Sequence, residues 1–217
     1  LLLWMEPWMK TEKEDKKKTR QKLLDQAKVE FAEKGFMKAS LRTICTNAGV
    51  TTGALYFFFR DKEDLFASLV QEPMQNVNAI LLMHYQEQKR RVSDTKFNPA
   101  DDSVSRKTCE RILQELFAHR EEFRLLLTKA QGSHLEHVEE SFAMITCRQN
   151  RILADAITAK TGTPRISEEL IGWLSHMYVD VFVYIMTNAG NEEQAHQYLN
   201  QIFPYLRDGW RGIFNKT

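Results

Sequence analysis

Apolar residues recur three or four positions apart along most of this chain, the spacing of helices that bury one face. The pattern is clearest in residues 40–59, where it predicts two short helices joined by a tight turn. Leu41, Ile44 and Cys45 form one apolar face of the first helix. Gly49 stands where such a turn needs a residue that tolerates positive φ. The stretch therefore predicts a helix-turn-helix.

The second helix of this pair has two unlike halves. Its first turn carries only small residues, which let a helix end approach the floor of a DNA major groove: Thr51, Thr52, Gly53 and Ala54. Four aromatic residues follow at 56–59, and they cannot all face one core, so one or two are expected to point outward. An exposed Tyr hydroxyl suits a phosphate oxygen, and an exposed Phe suits a thymine methyl. The alternative is a helical hairpin whose aromatic residues are all core.

Helix signals flank this pair on both sides. The first helix is predicted over about residues 19–34, ended by Gly35 as a left-handed residue. Such an ending lets Phe36 fold back onto Phe31. Asp61 is placed to cap a fourth helix after the pair.

Helical patterns also fill the rest of the chain. Pro73 is expected to interrupt the fourth helix, because proline lacks the N–H that a helix interior uses. A capping box at residues 133–136 is expected to begin a long helix. The apolar stripe of that helix is Leu135, Val138, Phe142, Ile145, Ile152 and Ala156. Further helices are predicted over about residues 103–119, 121–130, 167–187 and 191–214. The sequence thus predicts an all-α fold.

Charge is distributed unevenly, although the net charge is only +1. Residues 10–60 hold twelve Lys and Arg against six Asp and Glu, whereas residues 61–217 hold eighteen against twenty-two. A basic head on a mildly acidic body is typical of a nucleic-acid-binding domain joined to a domain that does not bind nucleic acid. Five Lys in residues 10–18 predict an arm that is either solvated or in contact with the phosphate backbone.

Signals for other chemistry are weak. Cys45, Cys109 and Cys147 lie far apart without the spacing of a zinc site, so reduced thiols in a cytoplasmic protein are expected. His134 and His137 follow a capped helix start, where polar residues are more often solvated than metal-binding. Neither a P-loop nor a nucleophile motif occurs, and no apolar run has the length of a membrane span. We therefore expect no catalysis, no metal, no cofactor and no membrane segment.

A longer set of residues recurs at fixed spacing around the helix-turn-helix: Arg20, Leu23, Leu24, Ala27, Phe31, Gly35, Phe36, Ser40, Ile44, Cys45, Ala48, Gly49, Val50, Thr51, Gly53, Leu55, Tyr56, Phe59, Lys62 and Leu65. With this set the chain resembles the DNA-binding domain of TetR-family transcriptional regulators. Ser40 stands where Thr is commoner in that family, and Cys45 stands where Ala is. Phe57 occupies a position that is often polar or basic in that family. The resemblance therefore does not imply which base Phe57 contacts.

The resemblance implies a three-helix helix-turn-helix domain followed by a larger helical ligand-binding and dimerisation domain. The expected bounds are a flexible N-terminal arm at residues 1–18, the DNA-binding domain at 19–66 and the C-terminal domain at 67–217. The residues expected to contact DNA are Ser40, Arg42, Thr51, Thr52, Gly53, Ala54, Tyr56, Phe57 and Lys62.

The last two predicted helices are apolar on more than one side, and a monomer offers them only one core. Their second face is predicted to meet a second copy across a two-fold axis, as the family resemblance also implies, through Trp173, Met177, Tyr184, Tyr198, Phe203 and Trp210. The alternative is that an intramolecular core or a ligand pocket takes this face. Candidate pocket residues, which at this spacing are often plain core, are Met83, Tyr85, Phe117, Phe123, Phe142, Met144, Trp173 and Met177.

These patterns predict a sequence-specific transcriptional regulator that acts as a homodimer. It is expected to bind an inverted-repeat operator in double-stranded DNA as a repressor, and to be released by an unidentified small-molecule effector. Two alternatives stay open. One is a DNA-binding protein without a small-molecule switch, and the other is an all-α ligand carrier or enzyme.

Overall fold

The computed structural model describes residues 6–94 and 102–214, with side chains from residue 12 onward. The described residues form nine α-helices and no strand, which confirms the all-α prediction. In chain order the helices are α1 Glu6–Lys38, α2 Leu41–Ala48, α3 Thr52–Phe58, α4 Lys62–Ser93, α5 Ser103–Ala118, α6 Arg120–Thr128, α7 Val138–Thr161, α8 Glu168–Asn188 and α9 Glu192–Ile213.

The chain divides into two compact units. The first unit comprises Leu1–Glu72 and Leu125–Glu136, and the second comprises Pro73–Arg124 and His137–Thr217. The sequence predicts a boundary at residue 66 and assigns residues 125–136 to the C-terminal domain. The structure places the boundary inside α4, and it assigns residues 125–136, which we call the returning segment, to the first unit.

The core of the first unit draws on α1, α2, α3, the start of α4 and the returning segment. Its buried side chains include Leu23, Ala27, Phe31, Phe36, Ile44, Cys45, Leu55, Phe59, Leu65, Phe66, Leu125 and Ala130. The rings of Phe31 and Phe36 both contact Phe66 edge-on, with centroids 5.0 and 5.3 Å away. The returning segment therefore completes the core that supports the helix-turn-helix.

Gly35 makes this return possible. Its φ of 73° is positive as expected, and with its ψ of 164° the backbone is non-helical there, so α1 is kinked at Gly35 and residues 36–38 follow the kink. This conformation directs the Phe36 N–H to the Lys129 carbonyl oxygen at 2.8 Å. The Phe36 ring lies 6.0 Å from the Phe31 ring, which confirms the predicted fold-back. A side chain at residue 35 would strain the backbone that forms this link.

The first helix starts earlier than predicted. The sequence predicts helix 1 from about Thr19, after an arm, whereas α1 begins at Glu6 and makes residues 6–18 helical. Lys and Glu are good helix formers, and pairs four residues apart add to their preference. One such pair joins Lys16 Nζ to Glu12 Oε1 at 2.8 Å. Residues 1–5 lie outside the described part of the chain.

Pro73 does not interrupt α4, contrary to the prediction. Asp61 Oδ1 accepts the Asp64 N–H at 2.8 Å, which confirms the predicted cap, and the helix then runs unbroken through Pro73 to Ser93. The proline forfeits one backbone hydrogen bond. Burial of Val70 and Val77 on either side of it offsets that loss, because both side chains are removed almost entirely from water.

The long helix α7 also differs from its prediction. Residues 131–137 form turns, and α7 begins at Val138 instead of at the predicted capping box. Ile145 and Ile152, which were predicted in the apolar stripe, are exposed. The buried side chains of α7 are instead mostly small: Val138, Ala143, Thr146, Asn150, Ala154 and Ile157. Asn150 is satisfied inside because its amide donates to Ser175 Oγ of α8 at 3.1 Å.

The second unit is built around two further apolar clusters. One joins α5, α8 and α9 through Leu113, Ile185, Ala189, Ala195 and Leu199. The other joins α7 and α8 through Ala154, Ile166 and Ile171. Side-chain caps begin the last two helices: Ser167 Oγ accepts the Leu170 N–H at 3.2 Å, and Asn191 Oδ1 accepts the Gln194 N–H at 2.8 Å.

The returning segment gives a test of this architecture. Leu125→Ala is expected to lower the free energy of unfolding of the first unit by about 2–4 kcal/mol, because it leaves a cavity in that core. Hydrogen exchange followed by mass spectrometry should show faster exchange in α1, α2 and α3. Leu82→Ala, at an exposed leucine of α4, is the matched control and should change little. Equal behaviour of the two variants would contradict the assignment of residues 125–136 to the first unit.

Candidate functional site

Side-chain caps begin both α2 and α3, and a left-handed glycine ends α2. Ser40 Oγ accepts the Thr43 N–H at 3.4 Å, and Thr51 Oγ1 accepts the Ala54 N–H at 3.2 Å. Gly49 ends α2 with φ 68° and ψ 34°, the left-handed conformation that the sequence predicts. The helix-turn-helix therefore has both N-caps and the turn residue that its sequence indicates.

Burial of two side chains decides which face of α3 is free. Leu55 and Phe59 are almost fully buried in the core of the first unit. Thr52, Gly53 and Phe57 are exposed and lie on the solvent side of the helix. With Tyr56, these residues form one exposed face, which we call the α3 face.

The aromatic residues of α3 separate as predicted. Tyr56 and Phe57 are 55% and 67% exposed, Phe58 is half-buried and Phe59 is buried. The Phe57 ring packs edge-on against Phe58 with centroids 5.0 Å apart. Two large aromatic rings thus stay in water at the end of a helix whose other side is anchored.

The remaining predicted contact residues lie around this face. Thr51 and Arg42 are exposed, and Ala54 is half-buried. Lys62 is engaged within the protein: its Nζ donates to the carbonyl oxygens of Met37 at 3.2 Å and Ala39 at 3.5 Å. The ammonium also lies 4.6 Å from the centroid of the Phe36 ring. Lys62 therefore holds the start of α4 to the end of α1, and its phosphate contact stays a prediction.

A buried thiol lies behind the α3 face. Cys45 is almost fully buried, and burial raises the pKa of its thiol although a hydrogen bond with Thr52 opposes the shift. The group is therefore an uncharged thiol at neutral pH. It supports α3 through packing and through Thr52.

The predicted pocket residues do not form one interior set. Phe123 is buried, and Tyr85, Phe117, Phe142 and Met177 are half-buried. The remaining three are exposed and do not line an interior, which corrects the prediction for them: Met83, Met144 and Trp173. Their helices carry apolar residues on several sides, so hydrophobicity alone did not identify the inner side.

Polar groups that the sequence analysis missed lie inside the second unit. His84 Nδ1 is 3.0 Å from Thr108 Oγ1, and the Tyr85 hydroxyl hydrogen-bonds to Thr146. Asn150 Nδ2 donates to Ser175 Oγ at 3.1 Å. The sequence carries one signal for these buried polar groups: polar residues recur at helical spacing within apolar stripes, as Thr146 and Asn150 do on α7.

Burial keeps this interior uncharged. It lowers the pKa of His84 to about 4, and it raises the pKa of Tyr85 and of Cys109 to about 12 each. Burial also raises the pKa of the Tyr178 hydroxyl. At neutral pH these groups can donate or accept hydrogen bonds, but none of the four carries a charge.

The predicted dimer residues divide between surface and core. Trp173 and Tyr184 of α8 are 62% and 53% exposed. Tyr198 is half-buried, with its ring 6.1 Å from Tyr184, and Trp210 packs against the cluster around Ile171. Phe203 is only 4% exposed, so it belongs to the protomer's own core, contrary to the prediction.

Two exposed apolar residues near these positions were missed. Tyr205 of α9 is 70% exposed, and Leu170 of α8 is also exposed. In the part of the chain that the structure describes, α8 is the one helix long and apolar enough to cross a membrane, yet only 28% of its apolar window is buried. By length and composition, α8 therefore exceeds what the sequence prediction allowed for any apolar run. Helices that meet a partner protein have the same composition, and α8 also carries His176 and Asp180.

Comparison with known proteins gives an independent result for the first unit. The family described as bacterial regulatory proteins, tetR family, matches residues 23–69. The transcriptional regulator AcrR of Shigella flexneri is 39% identical over 70 residues, which span 32% of this chain and 33% of that regulator. This relative is thus matched over about a third of its length.

Two further similarities extend over most of the chain. The transcriptional repressor AcnR of Corynebacterium diphtheriae is 21% identical over 196 residues, covering 87% of this chain and 91% of that protein. The crystal structure of NalD of Pseudomonas aeruginosa, the secondary repressor of the MexAB-OprM multidrug efflux pump, superimposes with a TM-score of 0.55 at 20% identity, covering 88% of this chain and 96% of NalD. This likeness concerns the fold. Residues 23–69, which contain the helix-turn-helix, are a DNA-binding domain of the type found in bacterial regulatory proteins of the tetR family.

Proposed function

We propose that this chain is a homodimeric repressor that binds an inverted-repeat operator and is released by a small molecule. The observation that carries the proposal is the α3 face, on which Thr52, Gly53, Tyr56 and Phe57 are exposed while Leu55 and Phe59 anchor the helix. A rigidly mounted helix with small residues at its start and exposed side chains beyond suits insertion into a major groove.

The α3 face divides into groups with different roles. Thr52 can hydrogen-bond to base edges, and Gly53 lets the helix backbone come close to them. The exposed Phe57 ring suits a thymine methyl. Tyr56 is assigned to a phosphate oxygen, which fixes the position of the helix without reading sequence.

The relatives support repression as the outcome of binding. AcnR is a transcriptional repressor, and NalD is the secondary repressor of an efflux pump. The domain that matches the tetR family, residues 23–69, contains the α3 face. We therefore propose that the operator of this chain, and with it the genes it regulates, can be identified from the DNA sequences that the α3 face binds.

Dimerisation is proposed through α8 and the adjoining side of α9. Trp173, Tyr184 and Tyr205 are large, mostly exposed aromatic residues, and α8 is apolar but largely unburied within the chain. Aromatic residues at such positions commonly carry the binding energy of protein interfaces. A two-fold dimer would hold two α3 faces at a fixed separation, which an inverted repeat matches.

The effector is proposed to be uncharged. The interior of the second unit offers the hydroxyls of Tyr85 and Thr108 and the neutral imidazole of His84. A buried charge needs a paired partner, and these three groups supply none. A largely apolar molecule with a few hydrogen-bonding groups suits such an interior.

Selection of bound sequences from random duplex DNA tests the proposal. The protein is expected to enrich an inverted repeat.

Tyr56→Phe, which removes only a hydroxyl, should weaken specific and non-specific binding alike by about fivefold, the equivalent of one hydrogen bond of about 1 kcal/mol. Phe57→Ala should instead change the preferred bases. Ser93→Ala, which removes an exposed hydroxyl at the end of α4, is the control for loss of a hydroxyl. Enrichment of no sequence would overturn the proposed function, and a changed base preference in Tyr56→Phe would overturn the assigned roles.

The dimer is tested by charge insertion on α8. Trp173→Glu should raise the dimer dissociation constant by at least about a hundredfold, because losing an interface Trp typically costs at least about 2 kcal/mol and a buried unpaired charge adds to that loss. Analytical ultracentrifugation measures it. Met83→Glu, at a comparably exposed apolar residue of α4, is the control and should leave the dimer intact. A dimer that persists unchanged in Trp173→Glu would exclude this face as the interface.

The uncharged interior is tested by the pH dependence of stability. Because burial lowers the pKa of His84 to about 4, the unfolded chain binds a proton below pH 6.5 that the folded chain takes up only near pH 4. The free energy of unfolding should therefore fall as the pH drops from 6.5 to 4, by at most about 3 kcal/mol from this residue. His84→Gln should reduce the fall by that amount in urea titrations, whereas His134→Gln, at an exposed histidine, should not. An unchanged pH profile in His84→Gln would contradict a neutral, buried imidazole.

A further inference from the structure

The N-terminal part of α1 lies directly beside the end of α3. A groove of about 370 Å³ separates the two helices. Its walls are Glu12, Asp15, Lys16 and Thr19 on α1 and Ala54, Phe57 and Phe58 on α3. The helical segment that replaces the predicted arm is therefore a neighbour of the α3 face.

Lys16 places a positively charged side chain at this groove. Its Nζ lies 5.7 Å from the centroid of the exposed Phe57 ring, within the range of a cation–π contact. The same Nζ is 2.8 Å from Glu12 Oε1. Both side chains of this ion pair are about half exposed, at 51% and 52%. Lys16 thus places a positive charge at the flank of the α3 face, beside its second turn.

The dimensions of DNA determine what such a charge would meet. An α-helix with its side chains is about 10–12 Å across, and the major groove of B-DNA is about 12 Å wide. A recognition helix therefore fills the groove, and a group at its flank lies against a phosphate wall. We infer that Lys16 contacts a DNA phosphate and that the N-terminal part of α1 belongs to the DNA-binding surface. This inference rests on the proposed DNA-binding function.

Glu12 opposes this contact. An exposed ion pair contributes at most about 1 kcal/mol, so Lys16 can exchange the Glu12 carboxylate for a phosphate at little cost. Glu12 itself would repel that phosphate. Residues 12–22 nevertheless hold six Lys and Arg against three Asp and Glu, so the segment as a whole attracts DNA. The two members of the pair should therefore affect DNA binding in opposite directions.

The test uses the full chain, the operator duplex selected above and a duplex of unrelated sequence, each titrated from about 50 to about 300 mM salt. Lys16→Gln should weaken binding to both duplexes by about threefold to tenfold, and it should lower the slope of log affinity against log salt by about 1. Glu12→Gln should tighten binding to both. Lys34→Gln and Glu33→Gln make the same charge changes at exposed residues near the other end of the helix and should have no effect. Circular dichroism confirms that each variant is folded.

The other outcomes distinguish failure of the Lys16 contact from failure of the proposed function. If the wild type binds its operator and Lys16→Gln behaves like Lys34→Gln, the inference fails while the proposed function stands. If Lys16→Gln changes the preferred bases but not the salt slope, Lys16 only positions the Phe57 ring, and the phosphate contact is overturned. If the wild type selects no sequence, the proposed function fails. If it binds no duplex at all, both fail.

Discussion

The structure of the DNA-binding unit depends on the burial of Leu55 and Phe59 in one core. These two side chains attach one side of a seven-residue helix to the rest of the unit, so the opposite side of α3 is fixed in direction. A helix this short is not stable alone, because nucleation costs more than its few hydrogen bonds return. Packing therefore creates the α3 face, and the side-chain caps at Ser40 and Thr51 begin α2 and α3. The proposed contact of α3 with DNA depends on that attachment.

The same core explains why the first unit takes in residues 125–136. Leu125 and Ala130 are buried with Phe31 and Phe66, and the Lys129 carbonyl oxygen accepts the Phe36 N–H. A small unit buries a smaller fraction of its surface than a large one, so twelve added residues contribute substantially to its stability. The chain also passes between the two units three times, after residues 72, 124 and 136.

Local signals in the sequence predicted this part well, because each depends on one or two residues. The caps at Ser40 and Thr51 and the left-handed Gly49 follow from side-chain chemistry that acts within four positions. Predictions that depended on long-range packing did worse. Pro73 stays inside α4, where Val70 and Val77 are buried around it, and α7 turns Asn150 inward, where its amide donates to Ser175 of α8, while Ile152 stays exposed. Phe203 was assigned to the dimer surface because helical periodicity shows two apolar faces without showing which one a neighbouring helix covers.

Exposure separates the residues that stabilise the protein from those that serve binding. A ring left 67% in water, as Phe57 is, adds little hydrophobic stabilisation to its own unit, because that term scales with the area removed from water. Its position on a fixed helix is therefore explained by a surface that covers it in the complex, and the major groove offers thymine methyl groups of suitable chemistry. Trp173 and Tyr184 on α8 raise the same question, and we propose that a second copy of the chain covers them. Both proposed interfaces would remove from water apolar area that folding alone leaves exposed, so folding and assembly would act on different side chains of the same helices.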